Sequence, residues 1–96
     1  MRLSAEEVAS IKRIIAEVFG EDAEVRLFGS RVDDTKRGGD VDLYVMPVQR
    51  DELYMKRVTC LGKLERALLY PVDLVVAEPE ASRPIDRIAL KNGVVL

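Results

Sequence analysis

Histidine is absent from this chain, and its absence narrows the chemistry more than any residue that is present. Without imidazole, the commonest general base and the commonest transition-metal ligand are gone. Cysteine is reduced to Cys60, so neither an internal disulfide nor a zinc cluster can form. Carboxylates remain as the side chains able to hold a metal ion, which favours Mg²⁺ or Mn²⁺ over softer metals. Side-chain amides are nearly missing too, Gln49 and Asn92 being the only two, a depletion shared by thermophile proteins. No apolar run approaches the roughly 20 residues of a membrane span. The stretch Met1–Glu7 turns acidic without the apolar segment of a signal peptide. The expectation is a cytoplasmic protein with no membrane contact.

What remains is an ordinary folding composition. The chain has 96 residues, 48% hydrophobic and 33% charged, which fits one globular domain over residues 1–96 and not a disordered segment. Its formal net charge of -2 excludes a protein whose task is to coat nucleic acid, so no direct nucleic-acid binding is expected. A single nucleotide is still admissible, because a bound metal supplies positive charge of its own.

Local patterns set the element order. Ser4-Ala5-Glu6-Glu7 reads as a capping box, and Val8, Ile11, Ile14, Ile15 and Val18 recur at helical spacing until Gly20 ends the helix. Val25 and Leu27 alternate with Glu24 and Arg26 in a short strand that runs into Phe28-Gly29-Ser30. Residues 31–39 are a polar loop rich in charge and glycine. A second strand covers Val41 to Met46, and Pro47 closes it. Leu53, Leu61, Leu64 and Leu68 give the buried face of a helix from about Asp51 to Leu69, which Pro71 stops. Val72 to Ala77 is the third strand. Pro84 opens a last helix containing Ile85, Ile88 and Ala89, Asn92-Gly93 ends it, and a few extended residues follow. The order α-β-β-α-β-α predicts an α+β fold, a small mixed sheet with helices packed on one face.

Asp40 and Asp42 stand two apart on a strand, so both carboxylates leave one face while Val41, Leu43 and Val45 leave the other. Carboxylates about 7 Å apart at the backbone can converge on two metal ions roughly 3.5–4 Å apart. By parity Asp73 joins them from the third strand. Three such carboxylates repel one another, and metal relieves the repulsion. At the end of the first strand, Gly29 admits a phosphate close to the backbone, the Ser30 hydroxyl can donate to it, and Arg31 offers a planar fork. An Asp-x-Asp pair alone is most often a solvated strand face, and a Gly-Ser alone is most often a turn. The conjunction of all these parts in this order is much rarer. Tyr44 shares the parity of Asp40 and Asp42 and could stack on a base, although ordinary partial burial fits it better. Lys36 and Arg37 fit a solvated loop better than phosphate contacts. Arg83 and Arg87 read as a wet helix face or a partner surface, and Cys60 as buried packing.

The stretch Phe28-Gly29-Ser30-Arg31, followed by Gly39-Asp40-Val41-Asp42-Leu43, resembles the minimal nucleotidyltransferases of the DNA polymerase beta superfamily, antitoxin-type partners of HEPN-domain proteins. The resemblance covers nearly the whole chain. It implies that Asp40, Asp42 and Asp73 are catalytic and bind two Mg²⁺ ions (or Mn²⁺), and that Gly29, Ser30 and Arg31 hold the triphosphate of ATP or another nucleoside triphosphate. It further implies transfer of AMP to a hydroxyl of a HEPN-type toxin, with Asp73 helping to deprotonate that hydroxyl, and hence a hetero-oligomer. The alternative is a catalytically weak or silent antitoxin that senses nucleotide and neutralises its partner by contact. Transfer to RNA or to a small molecule such as an aminoglycoside fits less well, for want of an acceptor-gripping domain. The chain departs from the family in the loop: Val32-Asp33-Asp34 stands where Ala-Arg-Gly is common, and Gly39 stands where a serine usually precedes the first aspartate.

Overall fold

The computed structural model describes residues 3–29, 41–69 and 71–96. Its elements are α1 (Ala5–Phe19), β1 (Glu24–Phe28), β2 (Val41–Met46), α2 (Leu53–Leu68), β3 (Val72–Val76), α3 (Pro84–Asn92) and β4 (Val94–Val95). The Ser4 hydroxyl accepts from the Glu7 N–H at 3.1 Å, and the Glu7 carboxylate accepts from the Ser4 N–H at 2.9 Å. Two orphan donors at the start of α1 are thereby satisfied. Gly20 closes α1 at a φ of 107°, where a side chain would be strained.

The sheet runs β3-β2-β1-β4. β1 and β2 are antiparallel, with Val25 opposite Val45 and Leu27 opposite Leu43. β2 and β3 are parallel, with Leu43 opposite Leu74, so α2 serves as the crossover that a parallel pair requires. The final extended residues form β4, which joins β1 through Arg26 and Val95. Strand alternation sorts the side chains. Val25, Leu27, Val41, Leu43, Val45, Val72 and Leu74 meet Ile11, Ile14, Ile15 and Phe19 of α1 and Cys60, Leu64 and Leu68 of α2 in the main core. Each fully buried aliphatic side chain there contributes about 1.5–3 kcal/mol. Cys60 is packing, as its neighbours predict, and burial pushes its thiol up to about 12.

The mixed α+β sheet and the element order match the sequence reading, but the helices do not all share a face. Phe28, Tyr44, Ala77 and Ala89 form a second cluster with Met46, Val75, Ile85 and Leu90, so α3 covers the sheet opposite α1 and α2. The reason is on the strands: Phe28, Tyr44, Val75 and Ala77 make part of that second face apolar, and it needs a lid. α3 turns Ile85, Ala89 and Leu90 inward together with the carboxylate of Asp86, and leaves Ile88 47% exposed. Among the described residues no helix is long and apolar enough to cross a membrane.

Candidate functional site

β1 delivers the chain to Gly29, which takes a φ of 77°. A Cβ added there would run into the Asp42 carboxylate, so the backbone at Gly29 lies directly against that side chain. Phe28 sits opposite Asp42 in the antiparallel pair, and on the other flank Asp42 sits opposite Asp73 in the parallel pair. Residues in register on neighbouring strands share a face, about 4.8 Å apart at the backbone. Gly29, Asp42 and Asp73 therefore meet at one end of the sheet, with Asp42 half-buried and Asp73 exposed. Two carboxylates so placed offer hard oxygen donors and mutual repulsion that a divalent cation would relieve, which fits Mg²⁺. Ser30, Arg31 and Asp40 lie outside the described residues, as do Lys36 and Arg37. Among the described residues no group of three or more acidic or cysteine side chains converges as a metal cluster.

Beneath this site is a buried polar knot. Tyr44 follows Asp42 by two residues on the same face, but it is fully buried and cannot stack on a base. Its hydroxyl donates to Asp86 Oδ1 at 2.6 Å, and its ring meets Phe28 edge-on at 6.5 Å. Asp86, also fully buried, accepts from Arg83 Nε at 2.8 Å, from Arg83 Nη2 at 3.0 Å and from the Arg83 N–H at 3.0 Å. The Arg83 guanidinium, with help from the Tyr44 hydroxyl, holds the Asp86 carboxyl well below the usual range against the opposing pull of burial. Burial, reinforced by the bond to Asp86, pushes Tyr44 up to about 12. Arg83 also bonds the Val76 carbonyl at 2.7 Å and pairs with Glu78 at 3.3 Å. It is thus an internal tie and not a surface charge awaiting a partner. The sequence reading missed Asp86, although Arg83 and Asp86 flank Pro84 and Ile85 at the i,i+3 spacing that brings side chains together.

The family model described as polymerase beta, nucleotidyltransferase matches residues 10–96. The chain belongs to that family. Two solved structures share the fold of this nucleotidyltransferase domain. One is a toxin–antitoxin with AMP-PNP, at TM-score 0.72 and 22% identity, covering 97% of this chain and 72% of the other. The second is a tyrosine-to-alanine mutant of the MntA–HpeT toxin–antitoxin, at TM-score 0.68 and 22% identity, covering 98% and 71%. No curated protein sequence matches the chain.

The nucleotidyltransferase domain has a second recess, a cleft of about 410 Å³ along the outer edge of β3. Asp73 lines it, together with Tyr54, Arg57 and Arg50. Arg57 Nε donates to the Leu74 carbonyl at 2.8 Å, and Arg50 Nη2 donates to the Ala77 carbonyl at 2.7 Å. Because Asp73 belongs to both places, the cleft opens from the carboxylate pair on the side away from Gly29. Neither arginine had stood out in the sequence, since a long side chain on a helix or loop carries no sign of where its head will anchor.

Proposed function

We propose that this chain is the nucleotide-binding, antitoxin-type subunit of a protein pair, which restrains a HEPN-type partner by binding it. Gly29, Ser30 and Arg31 hold the triphosphate, and Asp40, Asp42 and Asp73 hold the metal that accompanies it. The observation that carries the nucleotide half is the in-register pair Asp42 and Asp73 beside Gly29, in a chain of the nucleotidyltransferase family. The partner half is supported by the likeness to the two toxin–antitoxin structures, one of them with AMP-PNP. Mg²⁺ at the carboxylates would neutralise the triphosphate and screen the aspartates from one another. Gly29, having no Cβ, lets the Asp42 carboxylate lie against the backbone at the strand end, and Tyr44, Phe28 and α3 pack the strand beneath.

Two measurements test this. Calorimetric titration of Mg-ATP should show binding to the wild type and at least a tenfold loss in Asp42→Asn, as expected when a charged ligand contact worth about 1.5–3 kcal/mol is removed. Co-expression with a HEPN protein from an adjacent reading frame should give a co-purifying pair. No ATP binding by the wild type, or no pair, overturns the corresponding half.

A second reading is favoured by the exposure of Asp73 beside Asp42, which leaves a base available to an incoming hydroxyl. In it the hydroxyl oxygen of the partner bonds to the α-phosphorus of ATP, its proton passes to Asp73, and pyrophosphate leaves from the opposite side. Labelled ATP should then mark the partner, and Asp42→Ala should abolish the mark. No transfer from the wild type, or equal transfer from the variant, rejects this step and leaves contact as the means of restraint.

A further inference from the structure

β3 is an outer strand of the sheet, and its free side has an uneven set of hydrogen-bonding groups. An exposed edge ordinarily alternates donors and acceptors, which makes it a template for another strand. Here the outward carbonyls of Leu74 and Val76 are already taken by Arg57 and Arg83, and just beyond the strand Arg50 takes the Ala77 carbonyl. With two successive outward acceptors occupied, this edge is a poorer template for a second strand. What it still offers is donors, because a guanidinium carries five N–H groups and these bonds use few of them. Arg83 spends the rest on Asp86 and Glu78. Arg50 and Arg57 have no carboxylate partner among the described residues. Each is anchored by one N–H on backbone, so its remaining fork is held in place before any ligand arrives, and little side-chain entropy is left to lose.

We propose that this cleft seats an acidic, extended segment of the partner protein, with its carboxylates on Arg50 and Arg57 and an apolar side chain against Tyr54. The inference rests on the chain being a partner-binding subunit and holds whether or not nucleotide is transferred. A protein segment fits better than a nucleic acid for two reasons. Asp73 and Glu78 line the same cleft and would repel a continuous phosphate backbone, whereas carboxylates at chosen positions can avoid them. Tyr54 at 76% exposed, Met55 at 59% and Val58 at 46% extend an apolar strip from the cleft along α2, the kind of surface that protein partners cover. A segment lying in the cleft has one end beside Asp73, so the seat fixes which part of the partner reaches the carboxylates.

Fluorescence anisotropy at low salt tests the seat directly, with the full chain and three labelled probes. These are the peptide Glu-Asp-Tyr-Glu-Asp, its amide counterpart Gln-Asn-Tyr-Gln-Asn, and a short single-stranded RNA. Two charge-assisted contacts should favour the acidic peptide over the amide one by about tenfold or more. The double variant Arg50→Gln with Arg57→Gln should erase that preference. Arg57→Lys should keep only part of it, since the charge stays but the fork is lost. Asp42→Asn should leave it intact while losing ATP, which separates a failure of the seat from a failure of the nucleotide site. Should the double variant fail to fold, Arg50→Gln alone, at an exposed residue, must still lower the preference. Equal binding of the two peptides, an unchanged preference in the arginine variants, or tighter binding of the RNA overturns the proposal.

Discussion

The two faces of the sheet are built on opposite terms. The face under α1 and α2 is wholly apolar, and its residues obey strand and helix periods without exception at Val25, Leu27, Leu43, Leu64 and Leu74. The face under α3 mixes Phe28 and Ala89 with a buried carboxylate, and it runs without a break into the exposed Asp73. The first face needs nothing but volume and exclusion of water. The second needs particular partners at particular atoms, because a buried charge is tolerated only when paired and hydrogen-bonded. Stability is therefore concentrated on one side of the sheet, and positional precision on the other.

Substitution should expose that division. The largest effect is expected from Leu64→Ala on the apolar face, a loss of about 2–5 kcal/mol in urea unfolding, with the pH dependence of stability unchanged. Asp86→Asn on the other face should cost about 1.5–3 kcal/mol, the worth of bonds to a charged group, and should also change the acid limb. The Asp86 carboxyl titrates lower in the folded chain than its ordinary 3.8, so its stabilisation is complete above that pH and drains away as the pH falls below it. The variant should lack that part of the acid loss, and an acid titration followed by circular dichroism would reveal an unchanged limb if the idea is wrong. Gly29→Ala should cost about 1–2 kcal/mol for its left-handed backbone and also weaken ATP binding, since the new methyl displaces Asp42.

The smallest effect is also the most discriminating. Tyr44→Phe should lose about 0.5–1.5 kcal/mol near neutrality. Because the hydroxyl titrates at about 12 in place of 10.0, its stabilising contribution is full below pH 10 and is lost as the pH climbs toward 12. The thiol of Cys60, on the apolar face, shifts from 9.0 to about 12, so its contribution is lost over an overlapping range that begins one pH unit lower. Alkaline unfolding of Tyr44→Phe and Cys60→Ala should thus each remove a separate portion of the alkaline decline, and an identical profile in all three proteins would contradict both assignments.

Much of this was legible in the residues. The capping box at Ser4, the parity of Val41, Leu43 and Val45 against Asp42, and the placement of Asp73 all follow from local periods, which the chain cannot violate without burying charge. The side of the sheet that α3 would choose did not follow. Of its apolar residues Ile85, Ile88 and Ala89, the first and last do face the sheet, but Ile88 is left outside and the buried Asp86, held by Arg83 and Tyr44, turns inward with them. Burial of Tyr44 was the better of its two readings, but parity locates a side chain on a face without saying how completely a helix will cover it. The roles of Arg50 and Arg57 depend on carbonyls at Leu74 and Ala77 that are distant in sequence. Ser30, Arg31 and Asp40 remain sequence-level expectations, being outside the described residues.

The parallel register of β2 and β3 has one more consequence. Asp42 and Asp73 are each the second residue of their strands and lie opposite one another. A slip of β3 by a single residue would swing Asp73 beneath α2 and put Leu74 outside. The aspartates thus act as a spelling check on assembly: the misaligned chain must bury a charge beside Leu64, and it is rejected. Replacing both with leucine would remove more than a site, for the two strands would then have a second, nearly equivalent way to pair.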